Sequence, residues 1–174
     1  MKKTMVIILG MLLISLLAAC SETSHEPVDI SQDTDQCYFC HMGVEDLGAA
    51  TQVILEDGTP RVFDDIGCML MSFKDTNDEI SISYVVDYDS GEWLDLDDAT
   101  FVHDNEIETP MSYGFIAFAS EQEADNYMEE KDHTEKLSSE ELQAINTSEL
   151  EDWYRAHDAE QHGHGDEHED EEHS

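Results

Sequence analysis

The stretch Thr51-Gln52-Val53-Ile54-Leu55, Glu56-Asp57-Gly58-Thr59, Pro60-Arg61-Val62-Phe63-Asp64, continuing through Asp65-Ile66-Gly67-Cys68-Met69-Leu70-Met71-Ser72-Phe73, decides how this chain folds. Two short runs of β-branched and apolar residues flank an Asp-Gly turn, the signature of a β-hairpin. Ile66, Met69, Leu70 and Phe73 then recur at helical spacing, so a short helix is expected to pack on that hairpin. Gly67 makes this helix weak by itself. Met69 and Met71 cannot share one helix face, so at most one of them belongs to the core.

The same order recurs toward the C-terminus. Ser81–Tyr88 reads as a strand that turns at Asp89-Ser90-Gly91 and returns through Glu92–Leu96. Thr100–His103 and Gly114–Phe118 are two more short strands. Ser120 has the chemistry of an N-cap, with Glu121 and Glu123 in the first turn of a helix running through Ala124, Tyr127 and Met128. The fold class expected is therefore α+β, with one domain over residues 36–145 divided into halves at about 36–80 and 81–135. Ser138-Ser139-Glu140-Glu141-Leu142 carries a further cap, and 148–155 a final short helix.

Outward from this domain the composition changes. Residues 21–35 are polar and without period, and read as a tether over 20–35. Before them, Met1-Lys2-Lys3 precedes an apolar run from Met5 to Ala19 that ends in Leu17-Ala18-Ala19-Cys20. A basic start, a short apolar run and small residues before a cysteine make residues 1–19 a secretory signal with a lipobox. Cys20 is then the lipidated mature N-terminus. Acyl chains bury hydrocarbon worth about 0.8 kcal/mol per CH₂, so the protein is expected outside the cytoplasm and anchored to a membrane. At the other end, residues 146–174 form an acidic tail with His157, His162, His164, His168 and His173. Past Arg155 it lacks large apolar residues to offset the entropy of ordering and is expected to be disordered. Weak capture of Cu(II), zinc or nickel falls to His162, His164 and His168.

The chain carries 43 acidic residues against 7 basic ones, a net charge of −36. Such a surface repels nucleic acid and anionic headgroups and favours cations and basic partners, while serving solubility equally well. No phosphate-cradling glycine loop, dinucleotide fingerprint or Ser-His-acid order is present, so an enzyme is not expected.

With Cys20 acylated, three of the four cysteines remain: Cys37, Cys40 and Cys68. An odd number outside the cytoplasm argues against a complete disulfide framework. Cys68, on the first helix, reads as a buried and inert thiol. The densest chemistry lies in Asp35-Gln36-Cys37-Tyr38-Phe39-Cys40-His41-Met42, where thiols, an imidazole and a thioether crowd together. Cys37-x-x-Cys40-His41 matches a c-type haem attachment pattern, although the surrounding chain is strand-rich rather than a helical wrapper. A C-x-x-C pair also serves as a thiol redox couple or as half of a zinc site, for which only scattered histidines and Cys68 offer the remainder. Copper(I), which takes few and soft ligands, suits Cys40 with Met42 and a distant methionine. His103 and His133 are isolated and read as surface residues.

Cys37-x-x-Cys40-x-Met42 after a lipoprotein tether, the hairpin with Asp57-Gly58-Thr59 and Phe63-Asp64, Val86-Asp87-Tyr88 through Gly91-Glu92-Trp93, Pro110-Met111 and Phe118-Ala119-Ser120 together resemble the NosL family, over residues 35 to about 142. The resemblance implies two ββα-type halves and binding of Cu(I). It further implies delivery of copper to the centres of nitrous oxide reductase, with a membrane maturation and transporter complex as partner. By position it makes Cys40, Met42 and Met111 the preferred metal ligands, with Cys37 possible. The family usually has glycine where this chain has His41, which makes that residue an extra ligand or the source of an accidental haem pattern.

Overall fold

A computed structural model describes residues 24–129, 131, 133–152 and 155. The signal segment 1–19, Cys20, and His162, His164 and His168 lie outside these residues. The chain folds as two antiparallel sheets with helices, the α+β class that the sequence predicts.

The first sheet is built on β1 (Thr51–Leu55), which pairs with β2 (Pro60–Phe63) on one side and β3 (Ile80–Val86) on the other, with β4 (Trp93–Asp95) outside β3. Every residue of β1 is buried, because a central strand is covered on both faces. The Asp57-Gly58 turn closes the hairpin as its sequence requires. Gly58 takes φ +83°, where a side chain would be strained, and the Thr59 amide donates to Asp57 Oδ1 at 2.9 Å.

Helix α1 (Ile66–Asp75) follows, capped by Asp65, whose Oδ1 accepts from the Gly67 amide at 2.6 Å. Met69 enters the core completely, and Met71 packs half-buried against it. Gly67 sits in a close approach: a Cβ there would lie 2.0 Å from Cγ of Tyr113. The absent side chain is what lets the Tyr113 ring lie on the helix.

The second sheet has β5 (Thr100–His103) at its centre, between β6 (Phe115–Phe118) and β7 (Glu135–Ser138). A 3-10 turn, Leu96–Asp98, leads into it. Helix α2 (Glu121–Met128) is capped by Ser120 as expected, and α3 (Ser139–Ala144) begins with a capping box formed by Ser138 and Glu141. The two sheets meet through a parallel bridge of Asp87 with Ala117, and Asp87 Oδ1 accepts from the Ala119 amide at 3.0 Å.

Four expectations differ from this arrangement. Each ββα half is completed by a third strand after its helix, with equivalent orders β2-β1-β3 and β6-β5-β7, so the boundary expected at 80/81 falls inside the first sheet, to which Ile80–Val86 belongs. Its alternation shows a strand, but only hydrogen bonding to β1 says which sheet. Part of the polar tether at 20–35 is docked: Val28 N and O bond the side chain of Gln52, and Tyr84 Oη donates to the carbonyl of His25. The domain also continues beyond 145, because residues 147–152 are helical and Leu150 is fully buried in the core. His103 is buried and not a surface residue, its ring 4.8 Å from that of Phe115, since β5 is covered on both faces. His133 is exposed.

Candidate metal centre

Residues 36–43 form a tight knuckle ahead of β1. The Cys37 amide donates to the Met42 carbonyl at 2.8 Å, the His41 amide donates to the Cys37 carbonyl at 2.9 Å, and Gln36 bridges Gly43. Closing so short a turn drives His41 to φ +63°. That conformation is natural for glycine and costs other residues about 1–2 kcal/mol. It gives a physical reason for glycine at this position in the family that the motif resembles.

The knuckle turns both of its thiols inward. Cys37 is fully buried and Cys40 half-buried, and the Cys40 amide points at Cys37 Sγ at 3.5 Å. Helix α1 brings Cys68 from below, also fully buried, and the end of the hairpin contributes Asp64, which is 1% exposed. Donor atoms of Cys37, Cys40, Asp64 and Cys68 all lie within 4.8 Å of one another. None of the three cysteines is in a disulfide.

Protons are distributed unevenly over this group. A hydrogen bond from Cys68 holds the Cys37 thiol down to about 6, against the opposing effect of burial. The same hydrogen bond, with burial, pushes Cys68 strongly up. Burial pushes Cys40 up to about 12, and its Sγ donates to Asp64 Oδ2 at 3.4 Å. Asp64 Oδ1 is buried and has no hydrogen-bond partner. One thiolate, two thiols and a carboxylate with a vacant acceptor therefore face one another, which suits a cation that displaces the protons.

Other candidate ligands sit at the rim. Met42 is 55% exposed and lines a cavity of about 470 Å³ with Asp64, Glu45, Asp46, Glu108, Thr109 and Pro110. Met111 follows Pro110 and packs half-buried against the core, its amide donating to Asp65 Oδ2 at 3.2 Å. Asp65 thus ties the Met111 loop to the cap of α1. Burial raises this carboxyl to about 6, against hydrogen bonds from Thr109, Gly67 and Met111. His41 is exposed and is not one of the four clustered donors.

Sequence reasoning missed Asp64 and treated Cys68 as inert. The signal available was that Asp64 and Cys68 flank one helix start, on the element that packs nearest the knuckle. Of the Cys37-x-x-Cys40-His41 pattern, Cys37 is fully buried beside Cys68 while His41 is exposed. A redox couple of the thioredoxin kind places its cysteines between a strand and a helix, whereas these lie in a loop before β1.

The sequence model of the NosL family matches residues 27–146. A similar solved structure is the crystal structure of the copper chaperone NosL from Shewanella denitrificans, with a TM-score of 0.58 and 14% identity, covering 72% of this chain and 98% of that one. No curated protein matches the chain. At that identity the likeness to the solved structure is one of fold.

Proposed function

The chain belongs to the NosL family, and from that premise we propose that it is a copper-binding chaperone that holds Cu(I) as cargo and passes it on. The observation that carries this reading is the convergence of Cys37, Cys40 and Cys68 behind a half-open rim bearing Met42. Soft thiolate and thioether donors select Cu(I), and thioethers bind without losing a proton, so they release readily. Cys40 is the only one of the three thiols with any opening to solvent, which makes it the point of exchange. In this reading Met42, two residues on in the knuckle, and Met111, after Pro110, supply thioethers to the ion, with Cys37 as a further thiolate and the exposed His41 outside the set.

Acidic residues Glu45, Asp46 and Glu108 ring the cavity, and carboxylates at a cation's approach raise its local concentration. In this reading the acceptor is nitrous oxide reductase, reached with its membrane maturation and transporter complex. The signal at 1–19 directs export and is removed, and acylated Cys20 then holds the chaperone on the extracytoplasmic face of a membrane, with His162, His164 and His168 of the tail as weak metal capture.

An anaerobic Cu(I) competition titration of the reduced chain tests this function. One tight ion per chain is expected, weakened at least tenfold by Cys40→Ala and less by Met42→Ala or Met111→Ala. Absence of tight Cu(I) binding, or binding indifferent to Cys40→Ala, refutes it.

A further inference from the structure

A second cleft, of about 510 Å³, lies beside the junction of the two sheets at Asp87. Its floor is apolar: Tyr88 follows β3, Tyr127 comes from α2, and Ile107 lies in the loop between β5 and β6. The tyrosine rings stand edge to face at 5.2 Å and both pack on Phe118, at 5.6 and 5.4 Å, which fixes their orientation. Tyr88 is still 52% exposed, an anchored aromatic of the type that carries binding at protein interfaces. The rim is acidic, with Asp46, Glu106 and Glu108 all exposed and none of them in an ion pair among the described residues. One cation already lies on an aromatic wall of this cleft: the Lys131 ammonium is 4.5 Å from the centroid of the Tyr127 ring. Past Glu108 the cleft continues into the cavity beside Met42, with which it shares Asp46, Glu108 and Thr109. Asp64 lines that cavity, and its Oδ1 is an acceptor that no described residue fills.

We propose that this groove is the docking surface for a basic, arginine-bearing segment of the protein that exchanges copper with this chain. The role given to that partner rests on the chaperone reading, whereas the binding itself does not. Charge complementarity selects the occupant: aromatic rings under a rim of unpaired carboxylates suit a cation with a planar, weakly hydrated body. A guanidinium stacks on tyrosine and reaches carboxylates through its N–H groups, which a lysine ammonium matches less well. A second copy of this chain is repelled by its net charge of −36, and the tail past Arg155 contains no lysine or arginine to fold back into the cleft. A segment seated over Tyr88 and Tyr127 runs past Glu108 toward Met42, which brings soft ligands of the partner to the open side of Cys40. The rim carboxylates speed the encounter and the ring contacts fix its register, so docking places the two metal sites together.

The test uses the reduced, metal-free full chain in detergent and a fluorescently labelled peptide of alternating arginine and glycine, with binding read by anisotropy. Glu106→Gln combined with Glu108→Gln is expected to weaken the peptide about tenfold or more, and Tyr88→Ala to do the same, since each removes one half of the recognition. Tyr88→Phe keeps the ring and is expected to stay near the parent. Glu56→Gln combined with Glu79→Gln removes the same charge from exposed positions outside the cleft and is expected to leave binding within about twofold, the size of a distant, screened effect. Absent binding overturns the proposal, as does equal weakening by the two glutamate pairs, which makes the attraction diffuse charge alone. Displacement of the peptide by tetramethylammonium chloride but not by sodium chloride at equal ionic strength makes the occupant a small quaternary cation and also overturns it. Tight Cu(I) binding by a chain that ignores the peptide overturns this surface and spares the chaperone reading. Cleft-dependent peptide binding by a chain without tight Cu(I) binding sustains the surface and refutes the other.

Discussion

Replacing Cys68 by alanine tests the proton distribution on which metal capture depends. Cys37 titrates at about 6 instead of the ordinary 9.0, chiefly because Cys68 donates to it. Cys37 is therefore mostly thiolate at neutral pH. Without the Cys68 donor, burial pushes Cys37 upward, and only the backbone amides of Cys40 and Asp64 still favour the anion. The thiol is then expected to rise back toward its ordinary range. The assay is a pH titration of thiolate ultraviolet absorbance on the reduced, metal-free chain. Cys40, pushed up to about 12, and Cys68, pushed higher, are silent in that window, so a step near pH 6 belongs to Cys37. Cys68→Ser retains a hydroxyl donor and is expected to keep part of the depression. The sign for stability follows from a folded value below the unfolded one: the contribution is full above pH 9 and is lost as pH falls through about 6. A step that stays near pH 6 in Cys68→Ala refutes the assignment and transfers the effect to the backbone amides.

Other perturbations read other parts of the structure. Gly67→Ala forces a Cβ into the Tyr113 ring, 2.0 Å from Cγ, and is expected to lower unfolding free energy in urea by about 1–3 kcal/mol despite alanine's better helix propensity. An unchanged urea midpoint counts against that close approach. His41→Gly relieves a left-handed φ on an exposed residue and is expected to stabilise the chain by about 1 kcal/mol in thermal unfolding, with Cu(I) affinity retained. Lost copper affinity would instead make the imidazole a ligand. Asp65→Ala removes the cap of α1 and the acceptor for the Met111 amide, costing about 1–2 kcal/mol at pH 7 by urea unfolding. Because burial raises Asp65 from 3.8 to about 6, its proton-linked stabilisation is full below about pH 4 and lost as pH rises through 6, so the variant's penalty is expected to be larger at pH 4 than at pH 7. A penalty independent of pH contradicts a raised carboxyl.

Local pattern alone determined much of this protein. The Asp57-Gly58 turn between two apolar runs specifies a hairpin wherever it occurs, and Ser120 and Ser138 cap their helices through bonds that span three residues. Cys37 and Cys40 are within reach of one another by spacing, which makes a soft-metal or redox site legible without any structure. What spacing does not contain is the position of elements distant in sequence. Whether Ile80–Val86 extends the first sheet or opens the second, and whether His103 faces solvent, depends on which strands become central, and a short strand looks alike in either place. The metal centre shows the same division. Asp64 and Cys68 lie more than twenty residues from the knuckle, and only the packing of α1 and the hairpin end beneath it turns an apparently inert thiol and a turn carboxylate into the other half of a four-donor cluster.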